Sequence, residues 1–280
     1  IIDICGNLIA PTDENFNACL DCNDVLNGTA IIDSCGQCLD PLDPTFNNCI
    51  NSVYPGDANY DGMVNTKDAV FLGIGYGLMG PPRLNASIEW SPQFADEWNI
   101  GLFSFENTID AKHSDCNGDG TINDGELAVI AQNYGATHNF GKTNDNAGSP
   151  IWLELPDTLQ ANDTVQIPIY IGSETEPISD FYGISFSIEM EMAYLQENTI
   201  SINFEDNWLG TQNETFIALA MPLPTSNAID IGITRINHEN ISGNGKIGMV
   251  SFVMIDDVLG KEETAIPFEI NITNISALNN

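Results

Sequence analysis

The chain has 280 residues, long enough for two or three domains, and carries 40 acidic side chains against 7 basic ones, a formal net charge of -33. Phosphate binding needs clustered cations, and residues 1–66 contain no Lys or Arg at all, so nucleic acid and anionic membrane surfaces are poor partners. No apolar run reaches the roughly 18 residues that a membrane-spanning helix needs.

Residues 1–50 are a Cys-rich duplication. Ile1 to Cys19 (IIDICGNLIAPTDENFNAC) aligns without gaps on Ile31 to Cys49 (IIDSCGQCLDPLDPTFNNC). Cys19-x2-Cys22 and Cys35-x2-Cys38 have spacing compatible with a tetrathiolate zinc site. The repeat favours disulfides instead, because under zinc Cys5 and Cys49 would idle while their equivalents Cys35 and Cys19 ligate. Leu8 stands where the second repeat has Cys38, so the expected bridges are Cys5 with Cys19, Cys22 with Cys38, and Cys35 with Cys49. A loop of about 15 residues closed this way stabilises by roughly 3 kcal/mol in the chain-entropy model. That matters in a segment with too few large apolar residues to build a core. Disulfides imply an oxidising, extracellular or cell-surface setting. The chain opens at Ile1 inside a repeat, with no signal peptide, and is expected to be a mature piece of something longer. The phrase Asp21 to Cys38, DCNDVLNGTAIIDSCGQC, resembles Cys-rich repeats found in tandem on large bacterial surface proteins.

Residues 51–140 contain a second duplication. Asp57 to Asp68 reads DANYDGMVNTKD, and Asp115 to Glu126 reads DCNGDGTINDGE. Oxygen-bearing side chains fall at positions 1, 3, 5, 9 and 12 of both, with Gly62 and Gly120 at position 6, where the chain must turn sharply. This is the pattern of an EF-hand calcium loop, in which position 7 lends a backbone carbonyl. One expected site is Asp57, Asn59, Asp61, the Met63 carbonyl and Asp68; the other is Asp115, Asn117, Asp119, the Thr121 carbonyl and Glu126. Asn65 and Asn123 sit at position 9, where the ligand often acts through water. Two calcium ions are therefore the expected cofactors. A short apolar run follows each loop, Ala69 to Gly77 and Leu127 to Gly135, and both end in Tyr-Gly. Pro55-Gly56 argues against a helix entering the first loop, so only the exiting helix is expected.

A loop plus exiting helix, duplicated, with Val64 and Ile122 at position 8, resembles the dockerin family of small extracellular calcium modules. The likeness covers Tyr54 to Gly77 and Lys112 to Gly135, and a long insert, 78–111, separates the repeats. The resemblance implies a protein partner, contacted through loop positions 10 and 11. Here these are Thr66-Lys67 and Asp124-Gly125, and the two pairs differ. Cys116, at position 2 of the second loop, is read as an unpaired surface thiol or an intermolecular bridge. Trp90 and Trp98 in the insert are read as packing anchors in preference to sugar platforms.

Residues 141–150 are a linker. With the residues leading into it, Ala136 to Pro150, the connection is short enough for fixed packing of the flanking modules. From Ile151 to the end the pattern alternates with period 2. Val165, Ile167, Ile169 and Ile171 share one face; Ile184, Phe186, Ile188, Met190 and Met192 share another, with Ser and Glu opposite. AIDIGITRI, VSFVM and FEINITNI repeat the scheme, and a two-sheet sandwich is expected. FYGISFSIEM and the late strand GKIGMVSFVM give residues 151–280 a resemblance to the cohesin family, a jelly-roll whose members are receptors for dockerins. The fold class is thus mainly β: a disulfide-rich repeat segment, a small calcium module and a cohesin-like sandwich.

No catalytic constellation is expected. His113, His138 and His238 are scattered, and Glu189 with Glu191 reads as a solvated strand face. There is no nucleophile elbow, P-loop or dinucleotide fingerprint. The expected function is a non-catalytic adhesion or assembly segment of a large secreted or cell-surface protein. Its partners would be another protein or further domains of the same large chain, and a homo-oligomer and a carbohydrate ligand stay open. Two alternatives are an accessory segment of a secreted polysaccharide-degrading enzyme and a structural protomer of a surface fibre or appendage.

Overall fold

The computed structural model describes residues 20–33, 35, 37–44, 46–47, 52–104, 107–138, 150–223, 227–255 and 268–279. At the start, β1 (Ile31–Ile32) and β2 (Cys38–Leu39) form a short antiparallel ladder. Asp33 organises the turn between them: its carboxylate accepts from the backbone N–H of Cys35, Gln37 and Asn47 at 2.8 to 2.9 Å. Cys22 is bonded to Cys38. Cys35 is disulfide-bonded as well, while Cys5, Cys19 and Cys49 lie outside the described residues. Leu20, Val25, Leu26, Ile31 and Ile32 are exposed. Among the described residues, covalent bridging and Asx-type hydrogen bonds therefore hold this part of the chain in place of a core.

The acidic loops lie in the next unit. The first leads into α1 (Thr66–Gly75), which starts with a reciprocal capping box. Asn65 Oδ1 accepts from Lys67 N at 2.7 Å, and Asp68 accepts from Asn65 N at 2.8 Å. The insert forms a hairpin, β3 (Gly101–Ser104) and β4 (Asn107–Asp110), and a 3-10 turn at Ala111–His113 returns the chain to the second loop. That loop leads into α2 (Glu126–Gln132). Trp98 is buried and Trp90 packs on the same core, so both act as packing anchors.

The sandwich consists of β5 (Ile151–Leu153), β6 (Thr164–Ile171), β7 (Ile178–Met190), β8 (Ser201–Asn203), β9 (Phe216–Leu223), β10 (Ala228–Arg235), β11 (Ile241–Gly243), β12 (Gly245–Val253) and β13 (Ile270–Asn279). One sheet runs β5-β6-β12-β8. The other is built around β7, which pairs with β10, β11 and β13, while β9 pairs with β10. All the ladders are antiparallel. The inner faces interdigitate as the alternation predicts: Ile167, Ile169 and Ile171 meet Ile184, Phe186, Ile188, Ile229, Ile231 and Ile233 in one core. Two details differ from the plain alternation. A bulge between Lys246 and Gly248 shifts the phase of β12, so Ile247, Val250 and Phe252 all point inward. Met192 falls in a 3-10 turn beyond the end of β7 and only flanks the core.

The outer face of β7 corrects the sequence expectation more sharply. Ser185 and Ser187 alternate with the core residues and read as solvent-facing, yet both are buried. The cover is the loop module, whose α1 packs across β10, β9 and β7. Ile217 and Ile236 of the sandwich belong to the same apolar cluster as Ala69, Phe71 and Leu72 of α1. Val70 meets Tyr182 and Leu278 on the other side of the helix.

Close approach of helix and sheet depends on glycine. A Cβ on Gly73 would lie 2.1 Å from Thr234 Oγ1, and one on Gly232 would lie 2.6 Å from the Thr66 carbonyl. Polar groups at this interface are paired, as burial requires. The Tyr182 hydroxyl donates to the Gly73 carbonyl at 2.8 Å, and the Tyr134 hydroxyl donates to Asp230 Oδ2 at 2.7 Å. Thr66 Oγ1 lies 2.8 Å from Ser185 Oγ. Burial pushes the Tyr182 phenol up to about 12, so it stays a donor at neutral pH.

Candidate metal centre

Each acidic loop is wired in the same way. At position 1, Asp57 Oδ2 accepts from Gly62 N at 3.2 Å, and Asp115 Oδ2 accepts from Gly120 N at 3.1 Å. At position 12, Asp68 Oδ1 accepts from Asn59 N at 3.1 Å, and Glu126 Oε2 accepts from Asn117 N at 2.9 Å. The turning glycines take the left-handed backbone that position 6 requires, with φ of 94° at Gly62 and 87° at Gly120. Asp61 and Asp119 each accept from the position-7 amide, at 3.0 Å from Met63 N and 2.8 Å from Thr121 N. The position-9 side chains match as well: Asn65 Oδ1 accepts from Lys67 N and Asn123 Oδ1 from Gly125 N, each two residues on and at 2.7 Å.

Asp115, Asp119 and Glu126 each bring a carboxylate oxygen within 4.8 Å of the others. Glu126 is fully buried, and its Oε1 has no hydrogen-bond partner. Burial pushes the Glu126 carboxyl up to about 8, against the bond from Asn117 N and with repulsion from Asp115 and Asp119. In the first loop, burial and then repulsion from Asp57 and Asp61 raise the Asp68 carboxyl well above the usual carboxylate range. Carboxylates held together and out of water in this way fit a hard divalent cation, which supplies the charge and the oxygen ligation they lack.

The two repeats brace one another's loops. The chain leaving α1 pairs with the second loop: Gly77 N donates to Ile122 O, Ile122 N to Leu78 O, and Gly80 N to Gly120 O, at 2.8 to 3.0 Å. The chain leaving α2 pairs with the first loop in the equivalent register: Gly135 N donates to Val64 O, Val64 N to Ala136 O, and His138 N to Gly62 O, at 2.9 to 3.0 Å. The start of the long insert is therefore part of the second site. Arg83, also from the insert, is buried and donates to the carbonyls of Asp115 and Cys116.

Sequence reasoning missed Arg83, His113 and His138. His138 Nε2 lies 2.6 Å from Asp57 Oδ2, and the His113 ring packs at a tilt of 31° against Tyr60 with ring centroids 4.2 Å apart. Burial, reinforced by Lys112, His138 and Arg83, pushes the His113 imidazole down to about 3, so it is neutral. Aligning the repeats through their tails would have found His138, which stands at the same offset from its loop as Gly80 does from the first. Cys116 is fully buried, not a surface thiol, and is unbridged. Its place at position 2 faces the module core, where it joins Ala58 and Ile122. Of the position 10 and 11 pairs, Thr66 lies on the sandwich, while Asp124 and Gly125 are exposed.

No family model matches the chain, and no curated protein does. Solved structures of cohesin modules match part of it. A type I cohesin–dockerin complex from Clostridium thermocellum matches with 11% identity over 43% of this chain and 75% of that one, at a TM-score of 0.34. The second type II cohesin module of the cellulosomal adaptor scaffoldin ScaA from Acetivibrio cellulolyticus matches with 12% identity over 38% and 70%, at 0.31. A cohesin module of a family 33 glycoside hydrolase from Clostridium perfringens matches with 10% identity over 38% and 70%, at 0.28.

Glu126→Gln should separate the loops. The amide keeps the size and one acceptor oxygen but removes the charge that position 12 contributes to the three-carboxylate group. Calorimetric titration with calcium is expected to fall from two ions per chain to one, with the first loop's affinity little changed. Two ions of unaltered affinity would show that Glu126 is no ligand.

Proposed function

We propose that this chain is a non-catalytic, extracellular assembly segment in which a dockerin-like module, holding two calcium ions, is clamped onto a cohesin-like sandwich of the same chain. The observation that carries the reading is the seating of α1 on the β7, β10 and β9 face, directly behind a loop whose buried carboxylates suit calcium. Calcium fixes the loop, the loop fixes the start of α1, and α1 covers the sheet. The Cys22 to Cys38 bridge and the oxidised Cys35 support an oxidising compartment. In that setting calcium is abundant, and even sites of 10⁻⁴ to 10⁻³ M affinity are filled. Further chain or a protein partner would then engage the surfaces that α1 leaves open, including the exposed loop positions Asp124 and Gly125.

One observation favours the rival reading, an accessory sugar-binding segment of a polysaccharide-degrading enzyme. Trp152, on edge strand β5, is 42% exposed and stacks on Tyr170 at 4.6 Å, a planar apolar platform on the sheet that α1 does not cover. A glycan array on the calcium-loaded chain distinguishes the two. The assembly reading expects no specific glycan, alongside two calcium ions by titration. Selective binding to one polysaccharide class, lost in Trp152→Ala, would transfer the function to the rival.

A further inference from the structure

The two loops are alike in their own residues but not in what closes them. At the tail position that pairs with the turning glycine of the opposite loop, one repeat has Gly80 and the other has His138. Gly80 can bear no side chain, because a Cβ there would lie 2.1 Å from the Trp98 ring. His138 instead sends its ring back over the first loop to Asp57 Oδ2, 2.6 Å away. A carboxylate oxygen only accepts, so Nε2 carries the proton and donates. The ring has little freedom. It stacks on Tyr54 at 3.8 Å and 14°, Tyr60 and Trp90 flank it, and its side chain is 5% exposed.

Asp57 is thereby held on three sides, by Asp61 N on Oδ1 and by Gly62 N and His138 Nε2 on Oδ2. Two of these donors belong to the loop itself, and the third arrives from 81 residues away. A hydrogen bond of this kind fixes the direction of a ligating carboxylate, and losing such a partner typically weakens metal binding about 10- to 100-fold. Among the described residues the second loop has no counterpart: Asp115 accepts from Gly118 N and Gly120 N of its own loop, and Arg83 grips the backbone carbonyls, not the position-1 carboxylate.

We propose that His138 is a positioning residue of the first calcium loop, supplied by the second repeat, which orients the Asp57 carboxylate and makes filling of the first loop depend on the tail of the second. The proposal rests on the calcium reading above. It also makes the two sites unequal, with only the first sensitive to position 138.

The test is calcium titration by calorimetry on the full chain, with His138→Phe and His138→Gln beside the unaltered protein. Phenylalanine keeps the stack on Tyr54 but has no donor, whereas glutamine restores an N–H within reach. His138→Phe is expected to weaken one of the two sites at least tenfold and leave the other unchanged, and His138→Gln to recover part of the loss. Melting in EDTA separates positioning from mere support: the Phe variant should melt with the parent there and lose only part of the rise that calcium produces. Unchanged affinity in His138→Phe, equal weakening of both sites, or a melting loss already complete in EDTA would overturn the proposal while leaving the calcium reading intact. Absence of calcium heats in the unaltered chain would instead overturn the calcium reading, and this proposal with it.

Discussion

Gly73→Leu is expected to lift the loop module off the sandwich. Gly73 sits inside α1, where it costs helix stability relative to alanine by roughly 1 kcal/mol, so its presence needs a reason. The reason is the sheet beneath it: an added Cβ would lie 2.1 Å from Thr234 Oγ1 and 2.4 Å from the Arg235 carbonyl. Thr234 is fully buried and the carbonyl is backbone, so neither can yield. The helix must move away, which breaks the Tyr182 bond to the Gly73 carbonyl and the Thr66 contact with Ser185. Overpacking of this kind typically costs about 1–3 kcal/mol. In calorimetry the parent should melt as one unit where the two parts share a core, and the variant should show a separate, earlier transition for the module. Ala128→Leu, on the exposed side of α2, is the control and should change little. A Gly73→Leu chain that melts as the parent does would mean that the close helix–sheet contact contributes nothing.

What the sequence disclosed follows from how local each signal is. Calcium-loop residues sit at fixed offsets within twelve positions, and strand faces alternate every second residue, so the loops, β6, β7 and β10 were all legible. The docking was not, because it joins residues far apart in the chain. Thr66 and Ser185 are separated by 119 positions, and Tyr134 and Asp230 by 96. Their hint was present in a different form: Gly73 interrupts a helix while Gly183 and Gly232 interrupt buried strands, and all three face the same interface. A glycine inside a regular element that has no turn to make signals that something approaches closely. Ser185 and Ser187 misled for a related reason, since a polar side chain on an alternating strand shows which face is not the core, but not whether that face is wet. In β12 the bulge at Lys246 placed Ile247 and Val250 on one side, a change of phase that strict alternation cannot anticipate. The tail of the second repeat looked like the start of a linker because its partner, the first loop, lies more than seventy residues upstream.

Chelation is expected to have the widest effect. Asp57, Asp68 and Glu126 are fully buried and Asp115 nearly so, and three carboxylates of the second loop converge within 4.8 Å. Without a cation these charges repel one another out of water, and the chain can relieve the repulsion only by taking up protons or by opening the loops. Opening is easy locally. The exiting helices have 10 and 7 residues, too short to persist alone, and one of them contains two glycines. Its consequences are not local, because the first loop caps α1 and α1 covers the β7, β10 and β9 face. EDTA should therefore lower the melting temperature of the module, expose residues 53–138 to protease and uncover a buried strip around Tyr182, Ile217 and Ile236, while the sandwich core keeps its strands. Returning calcium at a hundredfold excess over its dissociation constant should restore about 2.7 kcal/mol per site. Asp61→Ala should reproduce the loss at the first site only, including the uncovering of the sheet, because α1 begins in that loop. Glu126→Gln, which acts at the second, should leave the sheet covered. If melting and the protease pattern are the same in calcium and in EDTA, the loops do not hold the fold together through a metal, and α1 keeps its place by its packing and hydrogen bonds with the sheet.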